Sequence, residues 1–447
     1  MPFDPISFSE ALKALRRQPK AVQVITQPKY IVYQDGDKYC AQNGFTNAVE
    51  KCDSDASTVI NYALSNLTPG RRWKEMVVLK GQFDLTNPIV VPSYTRLVID
   101  GYLVLANWNP NNPVIMNSLA VSHPQYTYYP PQIDQEIEIV GGKILGSSTA
   151  TIYLYQVDYF KITGVSMSWF GTGIRVVNCK HGIISETSMW QISSAGIAIS
   201  GGNNILVLDN IIIPDQFSTD AVVVSNGSNT VVIEGNFINV TNNGIVVSDS
   251  SHVIISNNRV YWTSNNGVNI AGSSRITIVG NFVLSNGNAG IYVGASGTVK
   301  SYYVTIVGNI VGDDRSPPGQ KYGIQFAYDA TGSYVENSLV AGNIVYNNTV
   351  AQIDAKTYPY SNNFVVNNLG FMTEDYGSVT LPAGSTSVTV QTKLSIPIDS
   401  VVITPIGQPP PGKLWVTIGS DGKSFTINTD VAPSVDLVIH YQVKGAM

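Results

Sequence analysis

Charge is scarce in this sequence. Of 447 residues, 26 are basic and 31 acidic, so charged side chains make up 13% of the chain and the formal net charge is −5; an ordinary soluble domain carries about 25%. A chain so poor in Lys and Arg lacks the basic footprint of a nucleic-acid binder. Cysteine is scarce too: Cys40, Cys52 and Cys179 are too few for a disulfide scaffold. Four scattered His with no Cys/His spacing argue against zinc. No apolar run approaches the roughly 18 residues that cross a bilayer, so membrane insertion is not expected. The opening MPFDPISFSEALKALRRQ has no basic stretch followed by an apolar core, which predicts synthesis in the cytoplasm without a signal peptide. Disorder is excluded by the 44% hydrophobic content with 10% aromatics.

Uncharged polar residues take the place of the missing charge. The chain holds 38 Asn, 26 of them between residues 201 and 370. Two motifs recur there and in the turns just before it. One is a small residue followed by alternating apolar positions, as in GTGIRVV, SAGIAIS, TDAVVVS, NNGIVVS, NNGVNIA, NAGIYVG and KYGIQFA. Its small residue is Gly173, Gly196, Ala221, Gly244, Gly267, Gly290 and Gly323, at intervals of 23, 25, 23, 23, 23 and 33. The other, in LVLDNII, VIEGNFI, IISNNRV, TIVGNFV, TIVGNIV and LVAGNIV, fixes Asn210, Asn236, Asn258, Asn281, Asn309 and Asn343, with Val165 and Thr187 in that place in earlier copies.

A period near 23 with short alternating β-runs requires copies that stack on one another. A leucine-rich horseshoe has a similar period but needs a Leu consensus and a helical segment that are missing here. Asn tolerates a left-handed corner, and stacked Asn side chains can bond to the copies above and below. The expected fold is all-β: a single right-handed parallel β-helix. Columns of Lys or Glu about 4.8 Å apart would repel, which accounts for the depleted charge.

Outside the coil the pattern changes. Residues 6–17 read as a short amphipathic helix with Ser7 or Ser9 at its N-cap, and residues 29–40 with the following run as a hairpin. Asp55 caps a second helix, ASTVINYALSNL, which ends near Pro69 and Gly70 and is suited to cover the open end of the first coil. A Pro- and Tyr-rich insertion spans 107–132, and GDDRSPPGQKYG supplies the long interval of 33. The coil should end near Phe371, followed by VVITPI, KLWVTI, SFTINT and DLVIHYQV in a small β-sandwich with Trp415 in its core. The expected organisation is 1–54 as an N-terminal attachment and cap region, 55–372 as the coil and 373–447 as the sandwich. Cys40 and Cys52 flank a Gly-containing segment and could meet across a hairpin; a bridge and two free buried thiols both remain open.

The segment YIVYQDGDKYCAQNG, followed by DASTVINYAL and the Asn/Gly coil, resembles the pectate-lyase-like β-helix proteins, particularly the tail spikes and tail fibres of bacterial and archaeal viruses. The ending TSVTV, VVITPIGQPPPGKLWV, FTINTDVAPSVDLVIHYQ is similar to the small C-terminal β domains of such fibres. The resemblance implies a homotrimer on the virion surface. Its N-terminal region would meet other virion tail proteins, and its distal domain a host-surface glycan or glycoprotein. A polysaccharide lyase or glycoside hydrolase on the same β-helix is the alternative, and a cellular surface adhesin a third reading. No cofactor is expected.

The residue sets of known enzymes on this fold are not present as a whole. His181-Gly182 and Asp313-Asp314 echo polygalacturonase elements in the wrong order, and STDA at Ser218–Ala221 echoes another faintly. Register offers Glu186 and Asp209, in equivalent places one turn apart, as a carboxylate pair close to the roughly 5–5.5 Å of retaining glycosidases, with Asp215 and Asp220 on the adjoining loop. The other reading of these acids is a solvated face. Trp169, Trp190, Tyr261 and Trp262 fall three or four residues after the fixed place of their turns, where rings either stack on sugars or fill a trimer interface or the coil interior. Asp313, Asp314 and Asp329 are candidates for calcium. Asn66, Asn226, Asn239 and Asn347 head N-glycosylation sequons.

Overall fold

The computed structural model describes residues 27–105, 112–122, 133–146, 149–214, 219–327, 335–355 and 362–445. The helix expected over 6–17 lies outside them. The fold is the expected all-β right-handed parallel β-helix, with few helices and small extra sheets toward the C-terminus. The chain divides into two compact units, Met1–Arg259 and Val260–Met447.

The first unit opens with three antiparallel strands, β1 (Tyr30–Asp35), β2 (Lys38–Asn43) and β3 (Val49–Asp53). Cys40 stands opposite Cys52 on β2 and β3, and the two are joined in a disulfide. Helix α1 (Ala56–Ser65) follows because Asp55 caps it: its carboxylate accepts from the amides of Ser57 and Thr58 at 3.3 and 3.0 Å. Apolar residues at helical spacing, Val59, Ile60, Ala63 and Leu64, are buried. β1 also pairs in parallel with β4 (Glu75–Asp84), where coiling begins.

Within the coil of the first unit, strands stack in parallel register on the strand one turn away, with one irregularity between Phe170 and Thr172. Ile184, Val207, Ile233 and Ile255 form one fully buried column, and Ile174, Ile197, Val222 and Ile245 another. The small residue ahead of each alternating run has a packing cause: a Cβ on Gly173 would meet the Gly196 carbonyl at 2.6 Å, and one on Gly196 the Ala221 carbonyl at 2.6 Å.

The fixed Asn does not itself turn the corner. The left-handed backbone belongs to the residue before it: Glu186, Asp209, Gly235 and Asn257 have φ of 54°, 53°, 71° and 55°. Thr187, Asn210, Asn236 and Asn258 point inward and are buried. Asn210 donates its backbone and side-chain N–H to Asn236 Oδ1 at 3.0 and 2.9 Å, and Asn236 does the same to Asn258 at 3.0 and 2.9 Å. Their amides also reach the carbonyls of Ile184 and Val207 at 3.1 and 3.0 Å.

The second unit repeats the device. Asn281, Asn309, Asn343 and Asn368 form a buried ladder. A parallel set of amide links runs Thr263, Asn286, Gln320, Asn348 and Gln352. Within the expected insertion GDDRSPPGQKYG, Gln320 thus restores the ladder.

Beyond the coil strands of this unit, Glu374–Leu381, Leu437–Gly445 and Ile398–Ile406 form one antiparallel sheet, and Ser387–Gln391, Ser424–Thr429 and Leu414–Ile418 another. Their shared core is Leu381, Val390, Leu394, Ile398, Phe425, Ile427, Leu437, Ile439 and Val443. Trp415 is not in it, contrary to expectation. Strand alternation turns Leu414 and Val416 toward this core and leaves Trp415 44% exposed on the outer face.

Candidate functional site

The corner acids occupy the places that register predicts. Ser185 pairs with Leu208, so Glu186 and Asp209 follow on adjacent turns at matching left-handed corners. Both are exposed, and among the described residues neither carboxylate makes a hydrogen bond or ion pair. Asp220 does different work. Its Oδ1 accepts from Asn242 Nδ2 and from the backbone and side chain of Asn243, at 3.0, 3.0 and 2.9 Å, which ties two turns together. Asp215 lies outside the described residues.

The aromatic candidates in the first unit are on the surface. Trp169 and Trp190 are 63% and 42% exposed, so neither fills the coil interior. Trp190 pairs in register between Ser168 and Ile213, and Trp169 lies next to Ser168 on the adjacent turn with φ 75°. Around them Ser168 and Gln191 carry no charge, and Ser193 donates to the Phe170 carbonyl at 3.3 Å. In the second unit Trp262 is 56% exposed at a corner of φ 53°, while Tyr261 is half-buried.

The calcium candidates have other partners. Asp313 is buried and takes Arg315 in a two-pronged ion pair, Nε to Oδ1 at 2.9 Å and Nη2 to Oδ2 at 2.7 Å. It also accepts the amides of Arg315, Gly319 and Gln320 at 2.9, 2.6 and 2.5 Å. Burial alone would raise its pKa, but the guanidinium and the three amides outweigh burial and hold the carboxyl well below the usual range. With both oxygens engaged, Asp313 anchors its loop. Asp314 accepts from the Tyr346 hydroxyl at 2.7 Å, and burial together with that carboxylate pushes the phenol up to about 12. Asp329 lies outside the described residues. Among the described residues no three His, Cys, Asp or Glu side chains gather where they could hold one ion.

One cluster escaped the sequence. Tyr159, His181 and Asn204 follow Asp158, Lys180 and Asn203, which are paired on three consecutive turns, and all three have positive φ. The rings of Tyr159 and His181 stack at 4.7 Å. His181 Nδ1 meets Asp158 Oδ1 at 2.6 Å, and its Nε2 faces Asn204 Nδ2 at 3.4 Å. Its signal was the shared spacing of 22 or 23 residues from turn to turn.

Of the sequons, Asn66, Asn226 and Asn347 are exposed. Asn239 is half-buried with its carbonyl oxygen shut away from solvent. Cys179 is enclosed, and burial pushes its thiol up to about 12.

Residues 150–311 match a family model described as "Right handed beta helix region". No curated protein matches the sequence. Among solved structures, the A-module of mannuronan C-5 epimerase AlgE6 from Azotobacter vinelandii is similar at 14% identity and TM-score 0.51, covering 71% of this chain and 95% of that one. The DFA-IIIase of Arthrobacter chlorophenolicus A6 in complex with GF2 is similar at 11% identity and TM-score 0.52, covering 70% of this chain and 90% of the other. At these identities the likeness is one of fold.

Proposed function

We propose that this chain recognises glycans through the outward-facing Trp169 and Trp190, as an attachment protein of a virus surface that works as a homotrimer. The observation that carries glycan recognition is the exposure of two Trp on consecutive turns of a coil that buries its aliphatic columns and amide ladders inside. A large ring left in water loses the burial that usually holds it. It regains that free energy by covering the C–H face of a sugar while Ser168 and Gln191 meet hydroxyls. The virus setting rests on the resemblance of the N- and C-terminal segments to tail spikes and fibres.

A second reading, cleavage of a polysaccharide by a lyase or glycoside hydrolase, is favoured by the adjacent corners Glu186 and Asp209, whose carboxylates have no partner among the described residues. The similar solved structures named above, a mannuronan epimerase and an enzyme held with GF2, lie on its side.

A glycan array read together with a reducing-end assay separates the two. Binding without new reducing ends, lost in Trp169→Ala and Trp190→Ala, is expected. Reducing ends that form in the wild type and vanish in Glu186→Gln would replace binding by catalysis. An array with no bound glycan together with no new reducing ends would overturn both.

A further inference from the structure

We infer that the outer face of the sheet built from Ser387–Gln391, Ser424–Thr429 and Leu414–Ile418 is a second carbohydrate site, a flat platform centred on Trp415 for a neutral glycan. The inference rests on the glycan reading above and adds a separate place for it.

Register builds the platform. Trp415 pairs with Asn428 and Asn428 with Ser387; Thr417 pairs with Thr426 and Thr426 with Thr389. Strand alternation sends the neighbours of these residues, Leu414, Val416, Phe425, Ile427, Val388 and Val390, into the core. The named row therefore faces outward as one indole among hydroxyls and an amide. It is already ordered: Asn428 Nδ2 donates to Thr417 Oγ1 at 3.1 Å, and the hydroxyls of Thr389 and Thr426 lie 2.9 Å apart.

The chemistry selects the occupant. None of these six residues is charged, so nothing in the row favours an anionic polymer over a neutral one. An indole covers the apolar face of a pyranose, and hydroxyl and amide groups exchange hydrogen bonds with its rim. The other sheet of the same sandwich differs: its exposed side chains mix Tyr376, Val402, Ile406 and Val438 with Ser378, Thr404, His440 and Gln442, and it carries no Trp.

Affinity electrophoresis of the full-length protein through gels containing dextran, laminarin or mannan, with alginate as the anionic comparison, tests this. At least one neutral polymer should retard the wild type, and alginate should not. Trp415→Ala should weaken retardation about tenfold, the scale of one lost aromatic contact, and Thr417→Ala more mildly. Because Trp415 stands outside the core, an unchanged melting temperature is expected for the variant. Retardation that persists in Trp415→Ala and disappears in Trp169→Ala overturns this site and leaves the proposed function standing. Loss in Trp415→Ala with no effect of Trp169→Ala or Trp190→Ala upholds this site and removes the coil from recognition. No retardation by any neutral polymer overturns the site.

Discussion

The same residue type does opposite work at neighbouring positions of a turn. Asn257 is exposed at a left-handed corner, whereas Asn258 is buried in the ladder. Replacing Asn236 by Ala leaves the backbone and side-chain N–H groups of Asn210 without their acceptor, at a cost of about 2–4 kcal/mol in urea unfolding. Asn257→Gly should shift stability by under about 0.5 kcal/mol, since glycine accepts φ 55° readily. A small loss in Asn236→Ala would mean that the ladder is ornamental. Asp313 supplies a pH test. Its carboxyl titrates lower in the folded chain than in the unfolded one, so its stabilisation is complete above the ordinary carboxylate value of about 4 and fades as pH falls through that region. The gap in urea midpoint between wild type and Asp313→Asn should hold from pH 7 to about 5 and narrow below pH 4. A gap that stays constant to pH 2 would remove the charge from the explanation.

At the scale of elements, the cap combines a bridged hairpin with a capped helix. The Cys40–Cys52 link closes a loop of sequence separation 12. Its loss in Cys52→Ser should cost about 2–3 kcal/mol, read as faster hydrogen exchange across β1 to β3 than in the coil strands. Equal protection in variant and wild type would show that α1 and β4 hold the hairpin without the bridge. This cap was legible in the sequence because local chemistry sets it, through Asp55 and the helical spacing of Val59, Ile60, Ala63 and Leu64. The coil was legible because two motifs share one period. What escaped depends on register. Gln320 continues an amide ladder across an interval of 34 residues, which no fixed repeat predicts. His181 reads as an isolated residue until Tyr159 and Asp158 arrive from the turn before it. Trp415 was expected in the core, but strand alternation decides which face a side chain takes and turns it outward.

For the molecule as a whole, composition spoke to architecture more than to activity. Charge was sparse because corners repeat, and the few charges kept at corners include Glu186 and Asp209, on adjacent turns. The proposed assembly is tested by mass in solution: light scattering at micromolar concentration should give three times the 48.2 kDa chain, and a monomer would refute the trimer. The ladders carry one more consequence, for how such a chain changes over generations. Links from Thr187 to Asn210, Asn210 to Asn236 and Asn236 to Asn258 step by 23, 26 and 22 residues. Gain or loss of one full step hands each amide an equivalent partner, whereas a shift of a single residue puts Gly235 or Phe237 where the Asn236 amide is required. Inherited length should therefore be quantised, with relatives differing by whole turns and intermediate lengths confined to the loops.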